Sequence, residues 1–170
     1  IAWQSLNKFH YRQDKRFSDS FLVVCPNLTV KERLQVLYPT NPENYYVKFE
    51  LVPASLLDKL MQAKIFITNW HIFAPEDEIK NAIKTKENKY EESDTAFASR
   101  VLKELGRKEN IVVLNDEAHH CYRCDPEGVQ ATKRTKIDPE NKVQIEEATV
   151  WVQGLEKIFR TRGILQCFDL

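Results

Sequence analysis

Glycine is scarce in this chain: its 170 residues hold only Gly106, Gly128, Gly154 and Gly163. None stands directly before a lysine, so no G-x-x-x-x-G-K-[ST] loop, whose backbone amides would cradle phosphates, lies within the sequence. Net charge is also absent, because 25 basic side chains cancel 25 acidic ones. No whole-chain field therefore steers the protein towards nucleic acid or an anionic membrane, and any such contact must come from local patches. Cysteine is limited to Cys25, Cys121, Cys124 and Cys167, too few for a stapled secreted scaffold. Two of the four sit in or beside apolar runs that read as buried strands, so a reducing, cytoplasmic compartment is expected. No apolar stretch approaches the ~18 residues of a membrane span. The start has no basic region followed by a small-residue cleavage site. It reads as mid-helix, and Ile164 to Leu170 reads as a strand with no turn residue after it, so both ends are expected to be cuts from a longer polypeptide.

What is present is ordinary globular material. With 42% hydrophobic and 29% charged residues, one domain with a buried core is expected rather than disorder or a fibre. Four short apolar runs, Phe21 to Cys25, Lys64 to Thr68, Ile111 to Asn115 and Ile164 to Phe168, alternate with longer helical patterns. Continuous apolarity marks strands covered on both faces. The fold class expected is therefore α/β, an open and mostly parallel sheet with helices on both faces. A fifth run, Tyr46 to Leu51, alternates and predicts a half-exposed strand with Val47, Phe49 and Leu51 on one face.

Helical spacing covers Leu28 to Tyr38, Ala54 to Ala63, and Thr95 to Leu105 before Gly106. The clearest helix is the last, with Asp138 as cap, Pro139 in the first turn, and a stripe of Ala148, Trp151, Leu155, Ile158 and Phe159 ending before Gly163. Two segments, 75–94 and 121–142, are charged or polar throughout and read as excursions from a single domain spanning 1–170.

In an open parallel sheet, ligands collect beyond the carboxyl ends of the strands. Pro26 and Asn27, Thr68 to Trp70, and Asp116 and Glu117 stand there. Two adjacent acids at a strand end suit phosphoryl chemistry. A hydrated magnesium ion needs only one or two carboxylates, which suits Asp116. The attacking water needs an orienting group, which suits Glu117. Taken alone, acids after a strand also serve as turn residues.

The longer segment Val112-Val113-Leu114-Asn115-Asp116-Glu117-Ala118-His119-His120-Cys121-Tyr122-Arg123 resembles the Walker B segment of superfamily two helicases and translocases of the DEAD/DEAH-like group. It is most similar to the Res subunits of type III restriction enzymes. The likeness runs over most of the chain. Phe21 to Asn27 looks like motif Ia, and Ile65 to His71 looks like a strand entering Thr-Asn-aromatic-His. Trp151 to Leu155 looks like the helix before motif III, and Cys167 to Leu170 looks like the strand leading into it. The resemblance implies an incomplete RecA-like first motor domain of an ATP hydrolase, with ATP and Mg2+ as cofactors. It implies Asp116 and Glu117 in nucleotide binding and catalysis, Asp116 as the metal ligand, and His119 as the catalytic link to motif III. It places Pro26, Asn27, Thr68 and Asn69 along a nucleic-acid backbone, DNA in the first instance and RNA otherwise. It also implies a phosphate loop before Ile1, a second RecA-like domain with an arginine finger, and a methyltransferase (Mod) subunit as partner. The isolated chain is then expected not to turn over ATP.

Other readings compete. A non-catalytic α/β module that binds nucleic acid or a partner is the alternative. His119, His120, Cys121 and Cys124 are acceptable zinc ligand types, but adjacent residues do not converge easily on one tetrahedral ion. Cys121 and Cys124 as a redox dithiol lack a helix start to depress a thiol pKa. Lys133, Arg134 and Lys136 read as a solvated loop, and Trp70 as a packed aromatic rather than a base-stacking platform.

Overall fold

The structure, a computed structural model, describes residues 1–74, 92–118 and 139–170. In chain order the elements are α1 (Ala2–His10), β1 (Ser20–Cys25), α2 (Leu28–Arg33), α3 (Tyr45–Lys48), α4 (Ala54–Leu60), β2 (Lys64–Asn69), α5 (Asp94–Val101), β3 (Ile111–Asn115), α6 (Pro139–Arg162) and β4 (Ile164–Asp169). Turns of 3-10 helix follow α2 at Leu34–Leu37, follow β2 at Trp70–Phe73, and precede Gly106 at Lys103–Leu105. The four strands form one all-parallel sheet in the order β2-β1-β3-β4. No described helix is long and apolar enough to cross a membrane.

β1 lies inside the sheet and is buried at all six positions, which is why Phe21 to Cys25 are continuously apolar instead of alternating. On one face Leu22, Val24, Ile111 and Val113 pack against Phe97, Val101, Trp151 and Ile158 of α5 and α6. On the other, Phe21, Val23, Ile67 and Val112 pack against Ile1, Leu34, Leu37 and Tyr38. Tyr46, Val52 and Leu60 form a third cluster with Leu6, Leu56 and Leu57, joining α1 to α4. Helices thus cover both faces, as the apolar runs predict. β4 is the more exposed edge, with Phe168 45% accessible, and its pairing with β3 shifts register between Ile111 and Val112.

Several expectations fail for identifiable reasons. Tyr46 to Leu51 is not a strand. Asn44 Oδ1 accepts from the Val47 N–H at 3.0 Å and starts the single helical turn α3, and Glu50 at φ 52 breaks out of it. Tyr46 turns inward and its hydroxyl donates to the Leu37 carbonyl at 2.8 Å, while Val47, Phe49 and Leu51 are exposed. Local capping here overrides the two-residue alternation. Phe159 is 62% exposed and does not belong to the α6 stripe, whereas Ala148, Trp151 and Ile158 are buried. Cys167 is exposed on β4, although Cys25 is buried as expected. The helix expected from Thr95 to Leu105 is α5 plus a 3-10 turn, closed by Gly106 at φ 63. The excursion at 75–94 ends earlier than its charge suggests, because the Ser93 hydroxyl caps α5 and Asp94 is its first residue. Pro139 to Lys142 likewise belong to α6. The cap at Asp138 lies outside the described residues, as does most of both excursions.

Gly154 shows how tightly α6 closes on the sheet. A Cβ placed there would lie 2.5 Å from Cγ and 2.7 Å from Cβ of Phe73, atoms too close to the backbone to swing aside. Helix propensity alone favours alanine over glycine by ~1 kcal/mol, but overpacking a core costs about 1–3 kcal/mol. Gly154→Ala is therefore expected to destabilise the chain in urea unfolding at constant slope, and to cost less when introduced into a Phe73→Ala background than into the native chain. A neutral or stabilising Gly154→Ala would contradict this packing.

Candidate active site at the strand ends

The strands end level. Val24 of β1 is in register with Thr68 of β2 and with Asn115 of β3, so Pro26 and Asn27, Asn69, and Asp116 emerge side by side. The chain passes from β1 to β2 and then crosses to β3 on the other flank of β1. Beyond β1 the chain enters the helices on one face, and β4 is reached through α6 on the other face. Between β1 and β3 the strand order reverses, the point at which open parallel sheets form a crevice beyond their carboxyl ends. Asp116 and Glu117 follow β3 at that point.

Backbone hydrogen bonds hold the two acids in place. The Asp116 N–H donates to the Val24 carbonyl at 2.8 Å, extending the β1–β3 ladder by one residue. The Ala118 N–H donates to the Leu170 carbonyl at 3.1 Å, and the Leu170 N–H to the Asn115 carbonyl at 2.9 Å. Ala118 is buried at 3% accessibility. Glu117, between these anchors, takes a left-handed backbone at φ 55, a conformation that costs a non-glycine residue of order 1 kcal/mol or more. The turn leaves Glu117 exposed and Asp116 half-buried, so the two adjacent carboxylates have different surroundings.

The electrostatics follow from that placement. Burial first, and then the negative charge of Glu117, hold the Asp116 carboxyl above its ordinary pKa; a hydrogen bond from the Glu117 N–H opposes them. Cys25 is pushed up by burial and by Asp116, and its thiol donates to the carbonyls of Thr68 at 3.2 Å and Asn27 at 3.4 Å. These carboxylates suit a hydrated divalent cation, which takes one or two acids and keeps most of its waters. Among the described residues no group of three or more His, Cys, Asp and Glu converges as a ligand cage.

Beneath the acids lies a buried amide. Asn115, 3% accessible, donates from Nδ2 to Asp169 Oδ1 at 2.8 Å and to Cys167 Sγ at 3.3 Å. Its Oδ1 accepts from Trp151 Nε1 at 3.4 Å. One side chain so ties the ends of β3 and β4 to α6. Sequence reasoning missed both Asn115 and Asp169 as site residues. The available signal was an asparagine continuing an apolar strand directly before two acids, a position where a polar side chain is buried and must be satisfied.

The other expected residues divide. Asn27 is exposed, but its Oδ1 is committed to capping α2 at the Val30 N–H, 3.0 Å away. Thr68 is buried, and its hydroxyl donates to the Asn69 carbonyl at 3.3 Å. Pro26 and Asn69 are half-buried at the crevice. Trp70 packs partly buried against the core and stacks on His71 at 3.9 Å, as expected for a packed aromatic. Arg100 of α5 secures this turn by donating to the Ile72 carbonyl at 2.9 Å while paired with Glu92 at 2.8 Å. His119, His120, Cys121, Cys124, Lys133, Arg134 and Lys136 lie outside the described residues.

No protein-family model, curated protein or solved structure matches this chain.

The raised Asp116 pKa fixes the sign of a pH effect. Its folded carboxyl keeps a proton to higher pH than the unfolded one does, so the folded state binds more protons just above the ordinary carboxylate range. The stability tied to that proton is present at lower pH and is lost as pH rises through the folded pKa. Asp116→Asn is expected to melt higher than the native chain at neutral pH, with the gap closing as pH falls below the ordinary carboxylate pKa. A melting difference constant with pH, or of opposite sign at neutral pH, would contradict it.

Proposed function

We propose that this chain is part of the first, RecA-like motor domain of a nucleic-acid-dependent ATPase of the superfamily two helicase and translocase type, and that it supplies the Walker B acids of the nucleotide site. The observation that supports this reading most is the placement of Asp116 and Glu117 at the point where strand order reverses, with Asp116 anchored to β1 and Glu117 lifted outward by a left-handed turn. Magnesium, when bound with ATP, would draw charge from the phosphate oxygens. Asp116 would hold that ion through its waters or directly, and Glu117 would orient the attacking water and take up its proton. Asn115 keeps the strand end rigid beneath both acids, and Asp169 stands beside them through its bond to Asn115.

The phosphate loop does not occur in this sequence, so on this reading the cradle for the phosphates comes from another segment of a larger motor. A second RecA-like domain would close the site. Nucleic acid, DNA in the first instance, would pass over the edge bearing Pro26, Asn27 and Asn69. Its contacts would go to phosphates rather than bases, which requires backbone amides and short polar groups only.

In the full-length gene product, Glu117→Gln is expected to retain ATP binding while hydrolysis falls by a factor of 100 or more, about 3 kcal/mol in barrier, because the group positioning water is gone. Binding measured with a fluorescent ATP analogue and turnover measured by phosphate release separate the two effects. Unchanged turnover in Glu117→Gln would refute the assignment.

A further inference from the structure

At the opposite end of the sheet, where the strands begin, α1, α4 and the segments entering β1 and β3 line a half-open cavity of about 390 Å³. Its lining carries four cations, Lys8, Arg12, Lys59 and Lys108, against one carboxylate, Asp19. In a chain whose charges cancel overall, this is a local concentration of positive charge within one concavity. The cations differ in how they are held. Lys108 pairs with Asp19, and Lys8 donates to the Asp14 carbonyl at 3.0 Å. Arg12 and Lys59 instead sit over the Phe9 ring, at 5.5 and 5.3 Å from its centroid. Among the described residues neither has a carboxylate partner. Lys8 lies in the last turn of α1 and Lys59 in that of α4, where a basic residue complements the helix dipole, while Arg12 lies beyond the end of α1. The dipole accounts for Lys8 and Lys59, but not for the convergence of Arg12 and Lys59 on one aromatic ring.

The cavity is built on a firm frame, since α1 and α4 are joined by the Leu6, Leu57 and Leu60 cluster. Its charge and size together select a ligand. Four cations against one acid favour an anion of several charges, and arginine and lysine are the side chains that take phosphate groups. A volume of about 390 Å³ accommodates a compact molecule. We infer that this cavity binds a small anion bearing two or more phosphate groups, through Arg12, Lys59 and Lys8. The site lies the length of β1 away from Asp116, roughly 20 Å at a strand rise of about 3.3 Å per residue, and does not depend on the ATPase reading.

Inorganic pyrophosphate is the probe. Titrated into the full chain at fixed ionic strength, it is expected to raise the melting temperature in a saturable way, as a ligand specific to the folded state must. Sodium sulfate and sodium chloride at matched ionic strength are expected to produce no comparable rise. Arg12→Gln and Lys59→Gln replace exposed residues and should leave the uncomplexed melting temperature near that of the native chain. Each is expected to weaken pyrophosphate binding about tenfold, the scale of one charged hydrogen bond, while Lys48→Gln, outside the cavity, leaves it unchanged. Equal stabilisation by sulfate, or pyrophosphate binding that survives the double variant, would overturn the proposal. So would displacement of pyrophosphate by a single-stranded oligonucleotide at lower concentration, which would make the cavity a nucleic-acid contact.

Discussion

The Asn115 side chain is the point on which the strand ends depend. It occupies the last position of β3, is shielded from water, and reaches the two neighbours that must be held in register, β4 through Asp169 and α6 through Trp151. A buried amide is costly unless it is satisfied, and a satisfied one admits few alternative arrangements. The residue after it is then fixed by the hydrogen bond from Asp116 to Val24, and the next takes a left-handed turn because Ala118 is drawn back into the sheet by Leu170. Side-chain geometry at the acids is therefore inherited from a polar contact one residue earlier.

Much of the fold was legible because burial on two faces writes itself into sequence. The four apolar runs coincide with the four strands to within a residue at each end, and the long helix before Gly163 is visible from Trp151 and Ile158. The misreading of Tyr46 to Leu51 shows the limit of such patterns. Alternation over six residues is what a half-buried strand requires, but Asn44 offers a cap and Tyr46 finds the Leu37 carbonyl, and those short-range bonds decide the outcome. Phe159 was misread for a different reason: it has the right helical spacing for the stripe, but α6 turns it away from the sheet.

The candidate site was legible in part. Asp116 and Glu117 could be singled out because they follow a buried strand, and the structure brings them to the crevice of the sheet with Asn69 and Pro26. Thr68 could not be judged from sequence, since whether a strand-end hydroxyl faces solvent depends on which neighbour covers it. Asn115 and Asp169 were invisible as a pair because 54 residues separate them. The cations of the cavity come from α1, the turn after it, α4 and the entry to β3, and no linear motif records their convergence.

We propose that the Asp116–Glu117 turn takes a divalent cation at the carboxyl ends of the strands, and the rest of the functional reading depends on it. The most direct measurement is nuclear magnetic resonance of the isotopically labelled chain during titration with Mn2+, a paramagnetic stand-in for magnesium. The account predicts that amide signals of Asp116, Glu117, Val24 and Cys25 broaden first, that added Mg2+ restores them, and that Asp116→Asn abolishes the effect. Broadening that begins elsewhere in the sheet, or that is unchanged in Asp116→Asn, would contradict it.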